Sequence, residues 1–564
     1  TGLNYGASPG GSLGGPPFNN SWNVNLHYRA AMSYITGSHQ MKVGFNNAWG
    51  HHENTPYALN PYSYVFSNGR PLQIRQWSIP YTTEVDVDAD FGLYAQDKWT
   101  IGRYTIAAGI RFDYFSNSYP PQTVGPGPLV PGRNLVFDEG TYDAVTGLPK
   151  PGGSPNGEPV PNLSWKDITP RLGFTWDIFG TGRTAFKASA NKYLVGLGTF
   201  SFAETNSVTS SNNPINRLVN TVTPDWLDPN GDFIPQCNLA VLTANGECGP
   251  VSNPNFGLVT APTTTYDPDY LKGWGKRNYN WEFSAGIQHE IAPRVSAEVS
   301  YFRRIYGNYT VADNRAYSAS DFIVTSLAVP QDSRLPDGGG GTVQNVYYYA
   351  GPPRADDFRI TLADDFGKRT EHWDGVDVTA NARIRNGLTV QGGVSTGRTV
   401  LDNCELATNP QLAELNVAPG GFSPLFFFAA TPLEFCHQNQ GFITQVKAFA
   451  TYTLPRADVQ LSGGYQGLPG PLLVANYNAP LGIPFKVVQI IEPNSYGDRM
   501  NQFDFRISKL FRFGGTRTMV GMDMYNLFNS TPVLTENQTY GPAYRSPITM
   551  LQARFFKFSA QFDW

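Results

Sequence analysis

The end of the chain alternates between apolar and polar side chains with a period of two. One face of this segment carries Phe556, Phe558, Ala560, Phe562 and Trp564, and the other carries Lys557, Ser559, Gln561 and Asp563. A period of two predicts a β-strand, because successive side chains of a strand point to opposite faces. One face of this strand is therefore apolar and the other face is polar.

The same alternation recurs along the chain, for example in residues 104–114, 279–291 and 388–396. Many such strands in one soluble sheet would need a second sheet to cover their apolar face. A membrane-spanning, all-β, antiparallel up-and-down barrel satisfies the pattern directly, with lipid outside and water inside.

Short turns and long loops separate the predicted strands. The tight turns fall at Gly37-Ser38, Ile101-Gly102, Gly180-Thr181-Gly182, Ala292-Pro293, Asn386-Gly387, Pro455-Arg456 and Gly514-Gly515. The longest loops fall at about 117–168, 194–278, 307–370 and 400–440, with shorter ones at 51–83, 468–498 and 528–550. This asymmetry is typical of bacterial outer-membrane barrels, whose short turns face the periplasm and whose long loops face outward.

The turns pair fourteen strands, and the terminal segment adds a fifteenth. The predicted strands are 22–36, 39–50, 84–100, 103–116, 169–179, 183–193, 279–291, 294–306, 371–385, 388–399, 441–454, 457–467, 499–513, 516–527 and 551–564. Single-chain bacterial barrels have even strand numbers. We therefore expect residues 1–564 to be the C-terminal part of a larger barrel that begins in an external loop near Gly2–Phe18, unless a membrane strand lies within 57–79.

Composition agrees with a barrel. Aromatic residues make up 14 % and charged residues 15 % of the chain, and the net charge is −4. Charged residues make up about 25 % of ordinary globular domains. The charge balance argues against a nucleic-acid partner. Neither a catalytic motif nor a phosphate-binding loop is present, so we do not expect an enzyme.

The four cysteines form two local groups, Cys237 with Cys248 and Cys404 with Cys436. Three connectivities are possible, and local pairing is the simplest; free buried thiols are the alternative. Local disulfides would close loops otherwise held by little, stabilising them by roughly 3 and 4 kcal/mol. They would also indicate an oxidising compartment.

Several motifs resemble those of TonB-dependent outer-membrane receptors. They are Met524–Asn529, which reads Met-Tyr-Asn-Leu-Phe-Asn, the terminal strand Arg554–Trp564, the pair Leu93–Trp99 and Gly109–Tyr114, and Trp165–Gly173. The segments Asp228–Cys237, Asn245–Cys248 and Gly275–Glu290 are most similar to the Oar-like branch of this family.

The resemblance implies a barrel of about 22 strands around a plug. It also implies a carboxypeptidase-regulatory-like domain, a TonB-type energy-coupling partner and an assembly signal for the barrel-assembly machinery at Phe558, Phe562 and Trp564. This chain contains neither the plug nor the regulatory-like domain, and about seven barrel strands are unaccounted for.

Asp228, Asn230 and Asp232 place three oxygen ligands at alternate positions around a glycine. Calcium loops use this spacing, although the distal glutamate of a full calcium loop is missing. A plain turn held by side-chain to backbone hydrogen bonds is the alternative. No other cofactor is expected.

Charged residues of the polar face should line the lumen in polar networks. They are Arg111, Asp113, Glu282, Glu298, Asp504, Arg506 and Asp523. We expect an outer-membrane transport protein, receptor-like in uptake or export of a bulky solute. The alternatives are a passive porin-like channel and a non-transport adhesin or assembly scaffold that acts through its long loops. The sequence does not identify substrate-binding residues.

Overall fold

The fold is described from a computed structural model. It describes residues 2–5, 16–143, 147–196, 212–384, 387–414, 432–481 and 486–564. Its main element is one antiparallel sheet of fifteen long strands joined in chain order.

The long strands are β1 (Phe18–Thr36), β2 (His39–Tyr57), β3 (Thr83–Ile101), β4 (Tyr104–Tyr119), β5 (Val160–Asp177), β6 (Thr184–Leu194), β7 (Tyr279–Ala292), β8 (Val295–Gly307), β9 (Thr370–Ile384), β10 (Leu388–Asp402), β11 (Ile443–Leu454), β12 (Val459–Leu468), β13 (Met500–Phe513), β14 (Thr516–Tyr525) and β15 (Phe555–Asp563).

The remaining strands are short and lie in the loops, at Gly2–Tyr5, Tyr62–Ser67, Arg70–Trp77, Gln122–Val124, Leu135–Phe137, Tyr142–Asp143, Leu148–Pro149, Thr221–Val222, Thr264–Tyr266, Lys272–Trp274, Thr310–Asn314, Ile323–Ala328, Thr342–Tyr348, Phe358–Leu362, Leu412–Glu414, His437–Asn439, Asn476–Ala479, Lys486–Gln489, Val533–Glu536 and Pro547–Met550. Two four-residue α-helices span Pro268–Leu271 and Cys404–Ala407. Among the described residues, no helix combines the length and the apolar composition that crossing a membrane requires.

Each long strand pairs with the next along the chain, as the alternating turns and loops predict. In the ladders between described residues, β1 pairs only with β2, and β15 pairs only with β14. Side chains of β1 and β15 are exposed on both faces along almost their whole length. β1 and β15 are therefore the first and last long strands of the sheet in chain order.

The turns confirm most of the predicted positions and correct some of them. Gly37, Gly102 and Gly514 adopt positive φ, the backbone region that glycine enters without steric cost. The turn predicted at Ala292-Pro293 lies one residue later, with Arg294 at φ 72°. Asn386 of the Asn386-Gly387 turn lies outside the described residues.

The final strand begins at Phe555 rather than at 551, because Pro547–Met550 pairs with Val533–Glu536 in a loop hairpin. The segment 57–79 holds no additional long strand. It forms a hairpin of Tyr62–Ser67 and Arg70–Trp77, to which Gly2–Tyr5 and Thr221–Val222 add. The sequence alternates in this hairpin because one of its faces packs on other loops.

The long loops contain apolar clusters of their own, whereas the sequence predicted loops with few stabilising contacts apart from the disulfides. One apolar cluster joins Trp77 and Ile215 of two loop regions with Tyr119 at the loop end of β4. A second cluster joins loops of the opposite half of the sheet through Val343, Val488 and Tyr544. Because each cluster draws on residues distant in sequence, the loops form folded caps whose cores the local alternation does not reveal.

Candidate functional site on the inner wall

The two faces of the long sheet differ in chemistry. Val299, Val378 and Val394 lie side by side across β8, β9 and β10 and are exposed. Phe558 of β15, on the same face, is 76 % exposed. The opposite face carries polar and charged side chains, so it forms the wall of a water-filled space.

The structure places all seven predicted lumen residues on this polar face. Arg111 on β4 donates from Nε to Oδ1 of Asp113 at 2.6 Å and from Nη1 to Asn46 Oδ1 at 2.7 Å. Glu282 on β7 accepts from Arg304 Nη2 at 2.6 Å. Arg111 thus reaches across β3 to β2, passing over Gly92, and the Glu282–Arg304 pair joins the neighbouring strands β7 and β8.

The other predicted lumen residues form similar contacts. Arg506 Nη1 lies 2.9 Å from Asp523 Oδ1, and Asp504 Oδ1 accepts from Gln502 Nε2 at 2.9 Å. Glu298 Oε1 accepts from Ser300 Oγ at 3.0 Å. On both sides of a central sector, these charged side chains of the inner wall are therefore paired with neighbouring side chains by ion pairs and hydrogen bonds.

That central sector, on β9, β10 and β11, is chemically different. Its inward side chains line a cavity of about 460 Å³, and they include Asp377, Thr379, Asn381, Gln391, Ser395, Gln445, Lys447 and Phe449. The structure shows no hydrogen bond or ion pair from any of these side chains to another described residue, and Asp377 Oδ1 is buried without a partner. Most of these side chains are exposed, so their hydrogen-bonding groups face the water of the lumen.

Two aromatic rings bound the sector, although the period-two pattern places polar side chains on this face. Trp373 lies against Gly375 and Gly397, where a methyl group on either glycine would overlap the indole. Phe449 pairs with Gln391 across the ladder and is 41 % exposed. Glycines at 375 and 397 therefore allow the indole to lie along the wall.

The loop-side mouth contains a buried ion pair. Asp167 on β5 is 1 % exposed, and its Oδ2 lies 3.7 Å from Nε of Arg277, which lies two residues before β7. The Arg277 guanidinium also lies 5.5 Å from the Phe115 ring and 5.8 Å from the Trp165 ring. Arg277 thus anchors the end of the longest loop to the wall.

A family model described as an outer membrane beta barrel domain matches residues 1–394. The chain belongs to the outer membrane beta barrel domain family. Its outer face therefore meets lipid in the bacterial outer membrane, its turns face the periplasm, and its long loops face outward.

Solved structures that are similar to this chain include outer-membrane transporters. The transporter YddB from Escherichia coli has 12 % identity and a TM-score of 0.48, over 96 % of this chain and 53 % of that chain. The ferric citrate transporter FecA has 9 % identity and a TM-score of 0.42, over 97 % and 55 %. The copper transporter OprC has 8 % identity and a TM-score of 0.43, over 98 % and 58 %.

This barrel domain spans about half the length of these transporters. No protein of curated function matches its sequence.

The predicted calcium-loop residues of the barrel domain lie together in an exposed turn. Asp228 accepts from the backbone N–H groups of Gly231 at 2.9 Å and Phe233 at 3.1 Å, and Asp232 accepts from Ile234 at 2.8 Å. Asn230 Nδ2 donates to Asp232 Oδ2 at 3.1 Å. The oxygens thus already cap backbone donors, and calcium binding stays a prediction.

Both local disulfides are present, Cys237–Cys248 and Cys404–Cys436. Cys248 packs against the buried Trp226 and Ile74, so this bond adds to an apolar contact rather than holding a loop alone.

The Met524–Asn529 motif closes the last loop of the barrel domain. Asn526 adopts φ 51°, and its Nδ2 donates to the backbone oxygens of Ser530 and Gln552 at 2.8 Å each. Asn529 accepts from the backbone N–H of Arg554 at 2.8 Å. Both asparagines therefore bridge the two ends of the loop before β15.

Of the predicted assembly residues, Phe558 and Phe562 lie on the outer face of β15, and Trp564 follows the strand and is 97 % exposed. Their role in assembly stays a prediction.

Sequence reasoning missed the central sector. Trp373 and Phe449 were the available signal, because each is an aromatic residue in the polar phase of its strand. It also missed Arg277, whose partners come from strands more than a hundred residues earlier.

Proposed function

We propose that this barrel domain forms the solute-conducting wall of a TonB-dependent, Oar-like outer-membrane transporter that moves a bulky solute. The observation that carries the proposal is the inner wall, where a sector with free hydrogen-bonding groups lies between sectors closed by ion pairs. Amide and hydroxyl groups exposed on the inner wall, with no protein partner, are open to water and can therefore bind a passing solute.

The motifs shared with TonB-dependent receptors support the energy-coupled form of the proposal. Met524–Asn529 closes the last loop, and Trp165–Gly173 runs along β5 beneath the loop cap. A plug, a regulatory-like domain and a TonB-type partner would belong to the longer protein. We propose transport rather than catalysis as the activity.

The test compares spent growth medium from the native bacterium, a strain lacking the gene and a complemented strain. Mass spectrometry should find at least one solute too large for general porins that only the native and complemented strains remove. An uncoupler of the proton-motive force should stop its removal.

Identical media from all strains would contradict transport. Removal that the uncoupler leaves unchanged, together with ion conductance of the purified protein in planar bilayers, would instead favour the porin-like alternative.

A further inference from the structure

The inward residues of β9, β10 and β11 between Trp373 and Phe449 form one strip, here called the neutral strip. We propose that the neutral strip binds a neutral, hydroxyl-rich oligomer, which makes an oligosaccharide the solute class of this barrel. This inference rests on the proposed function and specifies its substrate.

Free amide and hydroxyl groups supply the recognition. Asn381, Gln391 and Gln445 each present an acceptor oxygen and a donor nitrogen on one side chain. Ser395 and Thr379 add hydroxyls between them along the ladder. Sugar hydroxyls also donate and accept, so they can satisfy such groups without a net charge on either partner.

The charge of the strip disfavours a strongly ionic solute. Asp377 and Lys447 are its only charged residues among those lining the cavity, and their charges cancel. The sectors on either side are ion-paired internally through Glu282–Arg304 and Arg506–Asp523. An anionic or cationic solute therefore finds no cluster of opposite charge on this stretch of wall.

The two rings provide apolar platforms for the C–H faces of sugar rings. Each platform offers a flat surface with negative potential on its face, toward which weakly positive C–H groups are attracted. Trp373 and Asn381 are eight residues apart on β9, and Asn381 lies level with Gln391 and Phe449. Eight residues of strand span about 27 Å, which suits an oligomer better than a monosaccharide.

The strip continues toward the periplasm. A second cavity of about 510 Å³ shares Asn381 and Gln391 with the first and is lined further down by Glu290, Arg294 and Arg383. A solute bound between the rings therefore lies on a continuous path along the wall.

The test uses isothermal titration of the purified full chain in detergent micelles with three probes, maltohexaose, cellohexaose and xylohexaose. We expect at least one to bind. Phe449→Ala and Gln391→Leu should each weaken that binding at least about tenfold, as expected for the loss of an aromatic anchor and of an amide that hydrogen-bonds the sugar. Quenching of tryptophan fluorescence by the same sugar should disappear in Trp373→Phe.

Two glycine variants give a matched comparison. Gly397→Ala should weaken binding, because the added methyl group overlaps Trp373. Gly173→Ala adds the same methyl group to the inner face of β5, where the nearest atom, Ala107 Cβ, is 3.6 Å away. It should leave binding unchanged, and heat-modified electrophoretic mobility should show that both variants fold.

Absence of binding by all three hexasaccharides, or binding that the strip variants leave unchanged, would overturn the inference. Binding of hexaglycine in place of the sugars would also overturn it. If the medium comparison shows uptake while no sugar binds, only the inference fails. If a hexasaccharide binds through the strip while no uptake is found, the strip stands and the proposed function fails.

Discussion

Phe558 and Ser559 are neighbours on β15 and face different surroundings. Phe558 points toward lipid, while Ser559 points inward and lies 3.4 Å from Nη2 of Arg506. At the scale of the residue, the face on which a side chain lies therefore determines how much a substituted charge lowers the free energy of unfolding. Arg506, in turn, forms an ion pair with Asp523.

Phe558→Arg should lower the free energy of unfolding by up to about 2–4 kcal/mol, the range for an arginine at the bilayer midplane, since it puts a guanidinium on the lipid face. Guanidinium titration in lipid vesicles measures the change. Ser559→Arg is a poor control because Arg506 would repel the new charge. Gln561→Arg, on the inner face and exposed, should cost little. Equal costs for Phe558→Arg and Gln561→Arg would contradict the assignment of the faces.

Arg277→Met should cost about 3–5 kcal/mol of unfolding free energy, because it leaves the carboxylate of Asp167 buried without a counter-charge. The double variant Asp167→Leu/Arg277→Met should recover most of this loss, measured in the same titration. A double variant as unstable as Arg277→Met would show that the ring contacts of Arg277, rather than its charge, hold the loop.

At the scale of elements, the loops behave as small folded units with their own electrostatics. In the loop after β8, Arg354 donates from Nη2 to Asp321 Oδ1 at 3.0 Å and stacks on Tyr317 and Tyr349 at 5.2 and 5.4 Å. This contact joins two segments of the loop that are more than thirty positions apart.

Hydrogen bonds from Arg354 and from the backbone of Ser318 lower the pKa of Asp321 to about 2. The ordinary pKa is about 3.9, so the contact stabilises the loop fully above about pH 4 and is lost as the pH falls toward 2. Hydrogen exchange of residues 316–322, corrected for intrinsic pH dependence, should rise in that window. Arg354→Gln should shift the rise to higher pH; an unchanged profile would contradict this account.

The calcium hypothesis for Asp228, Asn230 and Asp232 makes a separate prediction. If calcium bridges these oxygens, a chelator should increase cleavage of the 228–236 turn by an added protease, and calcium should reverse the effect. Asp228→Ala should abolish the difference. Equal cleavage with and without chelator would leave the turn held by its backbone hydrogen bonds alone.

At the scale of the molecule, a substitution of the last residue can distinguish the stability of the folded barrel from its assembly in the cell. Trp564 is almost fully exposed and follows the end of β15. Its replacement therefore removes little buried surface, whereas the family resemblance assigns it to the assembly signal.

Trp564→Ser should leave folding of the purified chain into vesicles unchanged and should lower the amount of folded protein in the outer membrane of cells several-fold. Heat-modified mobility measures both. Asp563→Ser, on the inner face, is the matched control and should change neither. Equal yields in cells for both variants would remove Trp564 from the signal.

Much of the fold could be predicted from local pattern. The period of two placed all fifteen long strands, and glycine at the turns placed most connections. Strand bounds were less accurate at the loop ends: β5 begins at Val160 rather than 169, because its buried loop-end residues pair with β4 above the lipid belt. Alternation alone does not show where lipid ends and packed loops begin.

The amino-acid sequence by itself determined the class of this protein, the face of each strand and the direction of the loops, because these follow from neighbours one or two residues apart. Only the tertiary structure decided which inward groups are paired. Arg111 finds Asn46, and Asp167 meets Arg277, through strands distant in sequence. The unpaired strip from Trp373 to Phe449 exists because three adjacent strands bring mostly uncharged inward residues side by side, which no single strand can reveal.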